Sequence, residues 1–258
     1  MTLPQGILAR ALQAPVASLA AGTLAPVRIA VLDSGIDASH PELAGKVVSG
    51  VICETDANET STLRDSDPTV NNDAYGHGTS VASIITRIAP NARFIDVRVL
   101  GGDNRGSGEA LMAGFTYAVR SDVQMMNMSL AVPERYLPRL MPLSDLAYRK
   151  GKIVVAARRN RPLQDEGYPA ALIPCIGVGN AGAGPEDRWL YHTDVIEYSA
   201  HGVDVPVAAA GGGYTTQTGT SIATPIIAGI VCLLLGAYPG LTPFEAKALL
   251  KSFAAEKA

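Results

Sequence analysis

The chain has 258 residues, a formal net charge of −3, and 47% hydrophobic but only 5% aromatic residues. That length suits one large α/β domain or two small ones, with a core built mainly from Ala, Val, Ile and Leu. No block of Lys and Arg points to nucleic acid or an anionic membrane, and three cysteines without a Cys-x-x-Cys spacing argue against a disulfide framework or a zinc site.

The first 25 residues are rich in Ala and Leu but lack the basic start and compact apolar block of a signal peptide. Val27–Leu32 (VRIAVL) ends in Asp-Ser-Gly, which predicts a buried parallel strand and a turn, with Asp33 at the strand's carboxyl end. Ligand sites of open α/β sheets form at such ends. Lys46–Ile52 reads as a further strand, and Glu54–Tyr75 as a long polar surface loop. Gly78–Thr86 reads as a helix, which places His77 near a helix start. Arg93–Leu100 alternates as a strand does; Gly106-Ser107-Gly108 follows, then a helical stretch to Val119. Val123–Met128 is predicted as a strand, and Pro138–Lys150 as a helix capped by Gly151. Lys152–Ala157, Ile173–Val178 and Val203–Ala209 read as further strands. Ser221–Leu235 is apolar almost all round, as a fully buried helix should be, and holds Cys232 as a buried thiol. Its longest apolar stretch, Ile226–Leu235, is too short to span a bilayer. Thr242–Ala255 reads as an amphipathic helix with Thr242 as its cap. This alternation predicts an α/β fold with a mostly parallel central sheet covered on both faces, in a single domain over residues 1–258.

Three motifs carry chemistry: VLDSGID (Val31–Asp37), GHGT (Gly76–Thr79) and GTSIATP (Gly219–Pro225). Taken singly, Asp33 is a strand-end turn residue, His77 a packed histidine and Ser221 a helix cap. Together they supply a nucleophile, a base that titrates near neutral pH and a carboxylate to hold the base's tautomer. Asp, then His, then Ser is one of three unrelated chain orders that build this triad.

In that order and context the chain resembles the subtilisin-type serine peptidases, the subtilase family. The resemblance implies a subtilisin-like three-layer fold and a serine endopeptidase that works through an acyl-enzyme, without a cofactor. It assigns Asp33, His77 and Ser221 to the triad. The family's VVAAAGN segment aligns without a gap on Val154–Asn160, which gives Asn160 and the Ser221 backbone N–H to the oxyanion hole. Arg158-Arg159 stand where the family has Ala-Gly. Ser129-Leu130-Ala131-Val132 resembles the SLGG wall of the specificity pocket, and Gly106-Ser107-Gly108 the edge that holds an extended peptide substrate by β-augmentation. Arg158 and Arg159 on the facing wall favour an acidic substrate residue, or else turn to solvent or pair with Asp165 and Glu166.

No metal is expected: the helix after His77 runs through Thr86–Pro90 without room for the family's calcium loop, and Glu42 stands where the family has Asp. Asp65, Asp67 and Asp73 read as a solvated acidic loop. Leu3–Ile7 is similar to the start of mature subtilases, so residues 1–25 read as the beginning of the mature-type domain, with no propeptide. That implies a cytoplasmic enzyme held in check by narrow specificity, low activity or a regulatory partner, with neither nucleic acid nor membrane as its target. Two other readings stay open: a transpeptidase or macrocyclase on the same triad, and a catalytically weak peptide-binding pseudo-enzyme. His40 reads as structural, His192 and His201 as surface or loop residues.

Overall fold

In the computed structural model the described residues are 24–56, 58–160, 167–186 and 188–255. Leu3–Ile7, the segment before residue 24 and the Asp165–Glu166 pair fall outside them.

Strand β1 (Val27–Asp33) sends successive side chains to opposite faces: Ile29 and Val31 enter one apolar core, Ala30 and Leu32 the other. A continuous apolar run is what a strand covered on both faces requires. β1 lies between β4 (Ala92–Arg98) and β5 (Met125–Met128), parallel to both. β2 (Val47–Thr55) and β3 (Ser61–Ser66) extend the sheet on one side; β6 (Ile153–Ala157), β7 (Cys175–Asn180), β9 (Tyr198–Ala200) and β8 (Trp189–Tyr191) extend it on the other. The nine strands run β3-β2-β4-β1-β5-β6-β7-β9-β8, parallel except for β3 and β8 at the two edges. β10 (Val205–Ala208) and β11 (Tyr214–Gln217) pair as a separate antiparallel ribbon.

Among the described residues five helices complete the three layers. α1 (His77–Ile88), α4 (Thr220–Ala237) and α5 (Pro243–Phe253) cover the Ile29/Val31 face. α2 (Gly108–Arg120) and α3 (Leu137–Arg149) cover the other. α4 has a mean hydropathy of 2.0, and every residue in it except Ser221 and Ala237 is buried. It is a core helix, apolar all round because protein surrounds it. α5 begins with a capping box in which Thr242 and Glu245 satisfy each other's backbone N–H. Cys53, Cys175 and Cys232 are free and buried, and burial pushes each thiol up to about 12.

Two expectations need correction. Glu54–Tyr75 is not one loop: β2 runs on to Thr55, and Ser61–Ser66 returns antiparallel to it. The backbone ladder makes this strand, while its side chains stay mostly exposed, so no apolar alternation announces it. Val203–Ala209 shortens to β10 and lies outside the central sheet.

The contact of α1 with α4 positions the site, because each helix carries a motif residue at its amino end. They meet where Gly229 faces Ile88: a Cβ added at Gly229 would lie 2.8 Å from Ile88 Cβ. Gly229→Ala should therefore lower stability by about 1–3 kcal/mol, although alanine is the better helix former. Adding Ile88→Ala should recover part of that loss, read as a positive coupling in thermal or urea unfolding of the two single variants and the double variant.

Candidate active site

Asp33 closes β1 with its side chain fully buried. Its Oδ1 accepts the Ser34 backbone N–H at 2.8 Å and faces His77 Nδ1 at 2.8 Å. A carboxylate only accepts, so Nδ1 carries the proton and Nε2 of the neutral ring keeps its lone pair. Two glycines allow this approach. Gly35 has φ +108°, and a Cβ there would lie 2.2 Å from the Asn72 carbonyl oxygen. A Cβ on Gly78 would lie 2.0 Å from the Gly35 carbonyl oxygen. The start of α1 is pressed onto the turn after β1, which sets His77 against Asp33.

Asp73 fastens the same corner. Its Oδ1 accepts from Ser34 Oγ at 2.7 Å, Gly76 N at 2.7 Å and Tyr75 N at 3.0 Å; its Oδ2 accepts from Thr79 N at 2.8 Å. An anion is stabilised at a helix amino end. Asp73 is thus a ligand of the α1 terminus and not part of a solvated acidic loop, whereas Asp67 closes an exposed turn onto Thr69. Burial alone would lower the pKa of His77, which is 7% exposed. The charge and hydrogen bond of Asp33, with the charge of Asp73, outweigh it and hold the imidazole above its ordinary value.

Ser221 is the second residue of α4 and lines a cleft of about 620 Å³ together with His77 and Asn160. Its backbone N–H belongs to the first helical turn, whose donors have no partner inside the helix. Asn160 Oδ1 accepts the Thr220 backbone N–H at 2.8 Å and the Thr220 hydroxyl at 3.1 Å. A backbone N–H can only donate, so this contact fixes which end of the amide is oxygen and leaves the Nδ2 end for a ligand. A Cβ added at Gly219 would sit 3.2 Å from Ser221 Oγ and 3.4 Å from Asn160 Oδ1, so both side chains flank this glycine. Arg158 and Arg159 in place of Ala-Gly have not displaced Asn160 from Thr220.

Gly106, Ser107, Ser129, Leu130, Ala131, Arg158 and Arg159 all line the cleft. Gly108 does not. It opens α2 under the Tyr136 ring, while Ser107 caps that helix through Ala110 N. His40 is buried, with Nε2 3.0 Å from the Gly213 carbonyl oxygen and its ring edge-on to Tyr214, as a structural residue would be. His192 and His201 pack against Ser199 and Gly184.

Sequence reasoning missed Asp96. It lies in β4 beside β1, 1% exposed, with Oδ2 accepting Ile36 N at 3.2 Å and Oδ1 without a partner. Burial, helped by the charges of Asp73 and Asp33, pushes its pKa up to about 8 against the Ile36 hydrogen bond and Arg98. The readable signal was a carboxylate set between two apolar residues, Ile95 and Val97, in the strand-like segment FIDVRV.

The sequence profile of the Subtilase family matches residues 25–258. Subtilisin DY of Bacillus licheniformis is 31% identical over 244 residues, 89% of this chain and 84% of that protein. The major intracellular serine protease of Bacillus subtilis (strain 168) is 32% identical over 226 residues, 81% of this chain and 68% of that protein. Among solved structures, Sphericase is similar with a TM-score of 0.71 and 26% identity, over 88% of this chain and 82% of that one. The chain belongs to the subtilase family and is a subtilisin-type serine endopeptidase, which binds peptide or protein substrates.

The buried Asp96 gives a pH prediction. Its native pKa of about 8 lies above the ordinary 3.8, so between those values the native state keeps a proton that the unfolded chain releases. Stability therefore falls as pH rises through this window. Asp96→Asn, which imitates the protonated acid, should remove that fall. The denaturation midpoint of the variant should gain on the parent steadily from pH 4 to about pH 8; parallel curves would contradict a protonated Asp96.

Proposed function

We propose that this chain hydrolyses peptide bonds through Ser221, His77 and Asp33, with Asn160 and the Ser221 N–H stabilising the oxyanion, and that it does so with narrow specificity on an extended peptide. The observation that carries the reading is the 2.8 Å contact of His77 Nδ1 with Asp33 Oδ1, made where Ser221 lines the same cleft. Ser221 Oγ attacks the scissile carbonyl carbon and its proton passes to His77 Nε2. The carbonyl oxygen becomes an oxyanion between Asn160 Nδ2 and the Ser221 N–H. Collapse breaks the C–N bond, and the leaving amine takes the proton from His77. Water, activated by the same imidazole, then releases the acid product and restores the serine. Asp33 stabilises the imidazolium formed in each half. The relative named as an intracellular serine protease supports placing this activity inside the cell.

Labelling with a fluorophosphonate probe tests the nucleophile. The intact chain should label and Ser221→Ala should not; equal labelling of both, or none of a folded chain, counts against the triad. Asn160→Ala should lower kcat by about 100- to 1,000-fold, the scale found in enzymes of this type. Only neutral His77 can take the serine proton, so its raised pKa places the acid limb of kcat/KM above the ordinary 6.5. Asp33→Asn should cut kcat by about 10,000-fold, as for other triads, and draw that limb to lower pH. Hydrolysis adds one water to the mass of the products, and cyclisation adds none.

A further inference from the structure

Helix α1 carries Ser80, Ser83 and Arg87 on one face, at i, i+3 and i+7. Ser80 and Ser83 are fully buried, and what covers them is the antiparallel ribbon. β10 pairs with β11 along one edge, and its other edge has no strand partner among the described residues. Three backbone groups of that edge are met by α1 instead. Ser80 Oγ donates to Ala208 O at 3.1 Å, Ser83 Oγ accepts the Ala208 N–H at 3.1 Å, and Arg87 donates to Pro206 O at 2.7 Å. Proline has no N–H, so residue 206 offers only its carbonyl. The helix stands where a neighbouring strand would, and its side chains hold the ribbon in register with it.

This hold reaches the site one turn from His77. Ser80 Oγ has one proton, directed at two carbonyl oxygens, Gly76 O at 3.0 Å and Ala208 O at 3.1 Å. Its remaining role is to accept, and Gln217 Nε2 donates to it at 3.0 Å. Ser83 Oγ donates to the Ser80 carbonyl at 2.8 Å, so Ser80 is tied by hydroxyl and carbonyl alike. Gln217 closes β11, and the chain runs from it through Thr218 and Gly219 to Thr220 and Ser221. One hydrogen bond thus joins the start of the helix that opens with His77 to the strand end that delivers Ser221. The Gly229–Ile88 contact joins α1 and α4 at the other end of α1, about three turns away. Neither Ser80 nor Gln217 is among the described residues that line the cleft.

We propose that Ser80 and Gln217 are positioning residues, whose hydrogen bond sets the His77 ring against the Ser221 hydroxyl without contact to the substrate. This rests on the triad reading of His77 and Ser221. Asp33 fixes the direction of the imidazole, but a ring on one helix and a hydroxyl on another need their two supports in register. Proton transfer between them is sensitive to that register: a misplacement of about 1 Å can cost about 100-fold.

The test compares Ser80→Ala, Gln217→Met, the double variant and Arg87→Ala. Gln217→Met keeps the length of the side chain and removes the donor. Arg87→Ala breaks the same ladder at its far end, along with the pair to Glu186. For each, kcat and KM are measured on one quenched peptide that the intact chain cleaves, together with the rate of fluorophosphonate labelling and the thermal midpoint. Ser80→Ala and Gln217→Met should each lower kcat and the labelling rate by about 10- to 100-fold. KM and the acid limb should stay in place, because the Asp33–His77 contact is untouched. The double variant should lose no more than the more impaired single, since one bond is removed either way. Arg87→Ala should lower the midpoint and keep kcat. Losses confined to KM, additive losses, an unchanged kcat, or an equal loss in Arg87→Ala would each overturn the inference. An intact chain that neither labels nor cleaves sinks the triad reading instead, and hydrogen exchange of the Gly219, Thr220 and Ser221 amides then decides this one. Faster exchange in Gln217→Met than in Arg87→Ala keeps it; equal exchange sinks it.

Discussion

The closeness of two backbones governs the site. Gly78, the second residue of α1, lies so near the turn after β1 that a methyl group there would overlap the Gly35 carbonyl. The Asp33–His77 pairing on this side follows from that contact. The strand ends in a buried carboxylate, the helix begins with the imidazole, and the separation between them is set by main chain and not by flexible side chains. Positions set in this way are held to a fraction of an ångström, which proximity effects in catalysis demand.

The same closeness concentrates negative charge. Asp33, Asp73 and Asp96 all influence one another or His77 within this corner, and each is handled differently. Asp33 is matched to the imidazole, Asp73 is saturated by N–H and O–H donors at the helix amino end, and Asp96 keeps its proton. Neutralising the third carboxylate by protonation avoids a cluster of like charges in a buried place, at some expense in stability above the acid range. Asp73 has a second effect: with Asp33 it favours the imidazolium, the form His77 would pass through in the proposed mechanism.

Much of this was legible in the sequence. Asp33, His77 and Ser221 each sit in a contiguous motif, and the joint order of the three motifs, with their resemblance to those of the subtilases, singled them out where no one motif would have. β1, α4 and the α5 cap were readable because burial, periodicity and capping chemistry are local properties. What escaped was made by partners distant in the chain. β3 is polar and becomes a strand only because β2 offers it a ladder. β8 and β9 have three residues each, too few to show a period. Asp73 looked like one of several loop aspartates, since its donors span Ser34 to Thr79. The orientation of the Asn160 amide depended on Thr220, 60 positions away.

The placement of Ser221 at the head of α4 also bears on when activity is born. Asp33 and His77 lie in the first third of the chain, but the serine arrives on the helix that supplies a large share of one core, from Ile222 to Leu235. A chain with that helix undocked has an incomplete core, and Ser221, the proposed nucleophile, has no fixed place in it. On the proposed mechanism, proteolytic competence and consolidation of this core coincide, and a partly assembled molecule would have no means of cutting its neighbours.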